Sequence, residues 1–135
     1  MDTGKSALGG IDGNIAAALS YPIGIIAIIL LIIEKENRFV KFHALQSILL
    51  HVAALILMIA LWVISAVVFV GGIAASAATN TGAIGGLASM LLGLIWFVFV
   101  ILYLLGLIIS AVKAYQGSMF KLPIIGNMAA KWSGN

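Results

Sequence analysis

Apolar residues fall in three long blocks separated by short polar stretches. The first runs from Ile15 to Ile33 without a charge, the second from about Ala44 to Val70, and the third from about Leu87 to Val112. Nineteen residues at about 1.5 Å rise per residue reach ~30 Å, the thickness of a bilayer's hydrocarbon core. Only a helix satisfies its own backbone in lipid without neighbours, so blocks of this kind predict transmembrane helices. The second and third exceed ~20 residues and are expected to tilt or to extend past the lipid. The expected fold is all-α: one membrane domain over 1–135 with three spans, 15–33, 44–70 and 87–112.

The stretches between the blocks differ. EKENRFVKFH is the most charged segment, whereas GGIAASAATNTGAIGG carries no charge. Thr79, Asn80 and Thr81 favour a turn in the second stretch, which reads as a loop on the far side. The alternative makes Gly71–Met90 a fourth span. Six of the seven Lys and Arg share one side if there are three spans. Lys35, Arg38 and Lys41 are in the first loop, and Lys113, Lys121 and Lys131 follow the third block, with Lys5 on the other side. The positive-inside bias then puts the N-terminus outside and the C-terminus in the cytoplasm. MDTGKSALGGIDGN lacks a basic n-region and no A-x-A-like site follows the first block, so that block reads as a retained span and not a signal peptide. At the other end, Pro123 can open a short helix. Ile125, Met128, Ala129 and Trp132 share one face of it, predicting an interfacial segment over 120–133.

Composition supports lipid as the solvent. Of 135 residues 64% are hydrophobic and 8% charged, against about 25% charged in soluble domains. The net charge of +3 comes from residues flanking apolar blocks, so nucleic acid is not an expected partner. Membrane lipids are. With no Cys, thiolate metal sites and thiol catalysis are excluded.

Small residues recur every fourth position: Ala16, Ser20 and Gly24; Gly85, Ser89 and Gly93; Gly106, Ser110 and Ala114. Such faces let helices approach closely, within one bundle or between copies. A homo-oligomer or a larger membrane complex is thus left open. Pro22 should kink the first span and free the carbonyl of Ala18.

Around the second helix start, successive rotation by about 100° divides the polar residues into two sectors. Glu34, Asn37, Arg38 and Lys41 fall in one, with Glu34 and Arg38 in the favourable i,i+4 order. His43, Gln46, Ser47 and His51 form a stripe on the opposite side that descends into the membrane. Polar groups there face protein or water: the stripe is either a satisfied seam or a polar path. Two His eight residues apart on one helix cannot ligate one ion. No carboxylate lies within a span, and no nucleophile–base–orienter set or nucleotide loop is present. No enzyme activity, cofactor or metal is expected. Arg38, Lys41, Lys121 and Lys131 are candidate contacts for anionic headgroups.

IEKENRFVKFHALQSILL, with ALSYPIGIIAIILLIIEKEN before it and the closing KLPIIGNMAAKW, resembles the signature of the Tic-twenty-like family of small membrane proteins. The resemblance covers about Asn14 to Trp132. It singles out Glu34, Asn37, Arg38, Phe39, Phe42, His43, Gln46 and Ser47. It implies a polytopic helical protein, related in the plant branch to a path for imported precursors and without an agreed activity in the prokaryotic branch. The expected role is that of a structural or self-associating bundle protein. The alternatives are an oligomeric conduit along His43–His51 and an anionic-lipid-binding protein.

Overall fold

A computed structural model describes residues 3–134. Its regular elements are five helices: α1 Gly13–Leu19, α2 Gly24–Ile33, α3 Arg38–Thr79, α4 Ala83–Tyr115 and α5 Ile125–Trp132. The chain forms two compact units, one from residues 1–53 with 104–135 and one from 54–103.

Among the described residues two helices, not three or four, are long and apolar enough to cross a membrane: α3 with 42 residues and α4 with 33. No residue in the most apolar stretch of either is buried by protein, so these are not core helices of a soluble fold. Lipid is the solvent that matches such a surface.

The first apolar block does not make the expected span. It breaks at Ser20–Ile23 into α1, of 7 residues, and α2, of 10. Pro22 contributes no N–H, and the Ser20 hydroxyl bonds back to the carbonyl of Ala17 at 2.6 Å, a local bond that competes with helix continuation. The Ala18 carbonyl, which a simple kink would leave unpaired, accepts the Tyr21 N–H at 3.3 Å.

The two short helices line the first turns of α3 in opposite directions. At one level, a Cβ added to Gly13 at the start of α1 would lie 3.0 Å from Asn37 Nδ2. At a deeper one, the Ser20 carbonyl meets the Ser47 hydroxyl, and a Cβ on Gly24 would lie 3.5 Å from His51. Glu34, at the end of α2, returns to the level of Asn37 through the Asn37 N–H at 3.3 Å. Asn37 to His51 is about 21 Å of helix. The block therefore runs along α3 and comes back as a helical hairpin. Its apolar seams are Ala16, Leu30, Val40 and Ala44 on one side and Ala17, Tyr21 and Ala114 on the other.

α3 begins where the charged stretch supplies a cap: Asn37 Oδ1 accepts the Val40 N–H at 3.1 Å, the N3 donor of the helix. The anticipated far loop is only a turn at 80–82. Residues 71–79 continue α3 and 83–90 begin α4, so Gly71–Met90 is neither a loop nor a fourth span. Asn80, at φ 53°, ends α3 in the left-handed conformation that Asn tolerates. Just before that turn a Cβ on Gly72 would lie 3.3 Å from the Gly85 Cα, so the backbones approach closely there. Deeper in the same unit, Trp96 Nε1 donates to the Ser65 hydroxyl at 3.0 Å and the Trp62 and Trp96 rings meet edge-on.

α5 lies within 120–133, where Pro123 predicts a short helix. The turn before it centres on Ile124, at φ 65° and ψ −66°, with the Ile125 N–H bonded to the Pro123 carbonyl at 2.7 Å. This is a classic-sense γ-turn, an uncommon and strained conformation.

Candidate functional site

The break in the first apolar block, the first turns of α3 and the extended segment 118–122 converge on one buried polar cluster. His43, Gln46 and Ser47 lie on one face of α3 and are fully buried, as are Ser20 and Tyr21 opposite. His43 Nε2 meets the Ser118 carbonyl at 3.1 Å. A carbonyl only accepts, so that nitrogen carries the proton. In the neutral ring Nδ1 then accepts the Tyr21 O–H, 2.9 Å away. The Tyr21 oxygen accepts in turn from Gln46 Nε2 at 2.9 Å. Phe39 and Phe42 pack edge-on against the imidazole.

Gln46 binds both sides of the 118–122 segment. Its Nε2 donates to the Phe120 carbonyl at 3.1 Å and its Oε1 accepts the Leu122 N–H at 3.0 Å. The side chain thus pairs with that backbone much as a neighbouring strand would. Ser47 donates to the Ser20 carbonyl at 2.6 Å, satisfying irregular backbone at the break where water is excluded. One turn on, His51 Nδ1 donates to the Ser47 carbonyl at 2.7 Å. The stripe read from the sequence is thereby brought together, and Tyr21 and Ser118 join it. A tyrosine beside a proline in an apolar block carries no polar signal. Ser118 takes part through its backbone, which no residue identity announces.

The other sector is a separate cluster at the start of α3. Glu34 is buried and caps α2 instead of sitting on α3, so the anticipated i,i+4 geometry with Arg38 does not arise. Its Oε2 accepts from the Ser6 hydroxyl at 3.0 Å and the Ala7 N–H at 2.8 Å. Asn37 Nδ2 donates to the carbonyls of Thr3 and Lys5. Together they tie the N-terminal segment to the helix start. Arg38 lines a groove here, which Lys41, Lys121 and Lys131 do not. Asn14 Nδ2 donates to the Tyr115 carbonyl at 2.9 Å, joining the start of α1 to the end of α4.

Most of the small-residue positions are used inside the chain. Ala16, Ser20, Ser110 and Ala114 are buried, Gly24 faces His51, Gly106 faces Leu50 and Gly85 faces Gly72. Gly93 faces open space. Among the described residues no three His, Asp or Glu come together as metal ligands.

This geometry belongs to a chain with clear relatives. It is 40% identical over 131 residues to a UPF0132 membrane protein of Methanocaldococcus jannaschii, covering 96% of each chain. It is 34% identical over 122 residues to one from Archaeoglobus fulgidus, covering 90% of this chain and 95% of that one. A second M. jannaschii protein of this name is 28% identical over 124 residues, covering 91% of this chain and 71% of that one. No solved structure matches the chain. Membrane localisation follows from these relatives, and the Tic-twenty-like resemblance is not shown by them. The family that is shown matches residues 7–129, from the N-terminal segment through the start of α5, and on that match the chain belongs to the magnetosome magnetite crystal formation protein family.

Proposed function

We propose that this protein is a structural or assembly component of its membrane, without enzymatic activity, and that its polar stripe holds the fold together and conducts nothing. One observation supports this: the side-chain hydrogen bonds of His43 and Gln46, and the one from Ser47 to Ser20, run to the chain's own break at Ser20–Ile23 or to the segment 118–122. A conduit would direct those groups toward water. Other membrane helices, a second copy included, are the partners that suit such a bundle. We take from the family its membrane setting and not its mineral.

The absence of native Cys makes the test direct. Single Cys residues at positions 43, 46 and 47 are expected to stay protected from a membrane-impermeant thiol reagent, as does the control at Leu49. Labelling at 43, 46 and 47 with Leu49 protected would establish a hydrated path and overturn the proposal.

Two crossings also change the proposed sidedness. With α3 and α4 as the only spans, the segments before α3 and after α4 share a face. All seven Lys and Arg then fall on that face, and the uncharged turn at 80–82 falls on the other. The positive-inside bias makes the charged face cytoplasmic. The opposite-sided termini expected from three crossings are replaced by two cytoplasmic ones.

A further inference from the structure

Where α2 ends and α3 begins, a groove of about 760 Å³ opens in the first unit. It is lined by the N-terminal segment from Thr3 to Ala7, by Ile33 to Phe39 and by Met119. Its charges are not equivalent. Lys5 is paired with Asp12 at 2.5 Å. The Glu34 carboxylate already accepts from Ser6, Ala7 and Asn37. Glu36 also lines the groove. Lys35 and Arg38 are exposed and, among the described residues, form no ion pair. Ile33, Phe39 and Met119 add apolar surface to the lining beside Thr3, Ser6 and Asn37, and α2 also exposes Ile29 and Ile32.

We propose that this groove holds the phosphate of a membrane lipid headgroup. Arg38 offers a planar fork of donors suited to phosphate oxygens, and Lys35 adds a mobile ammonium charge. The apolar lining and the isoleucine face of α2 take the first part of the acyl chains. A free phosphate ion would satisfy the same two cations but would leave that lining without a role, so the occupant is the lipid. The site goes beyond the structural role proposed above and does not depend on it.

The test uses the full chain in a neutral detergent, with retained lipid read by native mass spectrometry. Phosphatidylglycerol is titrated against diacylglycerol of the same chains, with and without inorganic phosphate. Phosphatidylglycerol is expected to be retained and diacylglycerol not, with equimolar phosphate failing to displace the lipid. Lys35→Gln with Arg38→Gln should weaken retention about tenfold or more, while Lys121→Gln with Lys131→Gln leaves it unchanged. Arg38→Lys should keep part of it. Equal retention by the Lys35/Arg38 variant, an equal loss in the Lys121/Lys131 variant, or displacement by equimolar phosphate would each overturn the proposal. If the double variant unfolds, Lys35→Gln alone gives the reading, because that side chain is exposed and unpaired in the fold.

Discussion

Gln46 shows what single side chains do in this protein. Removing its amide leaves the Phe120 carbonyl and the Leu122 N–H without their partner, while the Tyr21 hydroxyl keeps its bond to His43, and a buried group so stranded costs about 1–3 kcal/mol. Gln46→Leu should therefore lower unfolding stability in detergent by about 3 kcal/mol. Tyr21→Phe strands fewer groups and should cost less, about 1–2 kcal/mol. Equal midpoints for Gln46→Leu and the wild type in denaturant titration would refute the clamp. Gly126 is packed against the same amide. A Cβ there would come within 2.7 Å of Gln46 Oε1 and of Lys121 Cα. Gly126→Ala should cost about 1–3 kcal/mol by overpacking, whereas Gly93→Ala, which meets open space, should be near neutral.

At the scale of elements, the hairpin of α1 and α2 depends on several bonds and not on proline alone. Pro22→Ala restores a donor but leaves the Ser20 hydroxyl on Ala17 and Ser47 on the Ser20 carbonyl. The break is expected to survive, so residues 5 and 35 stay on one face of the membrane in Pro22→Ala, as impermeant labelling of single Cys variants would show. Labelling of the two positions from opposite faces would mean that the block had fused into a span. Asn37→Ala removes the cap of α3, worth about 1 kcal/mol, and also frees the Thr3 and Lys5 carbonyls. Hydrogen exchange should rise in residues 3–7 well before it rises in the centre of α3.

The helical character and the polar stripe of α3 were legible from periodicity, because 100° per residue places His43, Gln46, Ser47 and His51 together whatever they contact. Length was the misleading signal. Ile15–Ile33 has a span's composition, and the outcome turned on Ser20 and Pro22 in mid-block together with a Ser47 placed to accept the break. In the other direction, the glycines and alanines of 71–90 suggested a loop. Gly72 and Gly85 instead let two helices approach where larger side chains would hold them apart. Groups that act through their backbone, such as Ser118, Phe120 and Leu122, leave no trace in residue identity.

For the whole molecule, the proposed pair of crossings leads to a direct topological expectation. Single Cys variants at positions 5 and 131 should be labelled from the same face of the membrane and one at 81 from the opposite face, in sealed vesicles of known orientation. If 5 and 131 report opposite faces, an odd number of crossings returns.

The turn at Ile124 has a last consequence. A β-branched residue at positive φ costs on the order of 1–3 kcal/mol, and glycine would hold the same turn at ease. This isoleucine is also 78% exposed, so in water it would bring a second disadvantage. Acyl chains reverse that second term, since they welcome the same side chain. Ile124 is expected to act as a peg in the leaflet that sets the depth of the closing helix, and Ile124→Gly is expected to relax the backbone while weakening that helix's hold on vesicles in a flotation assay.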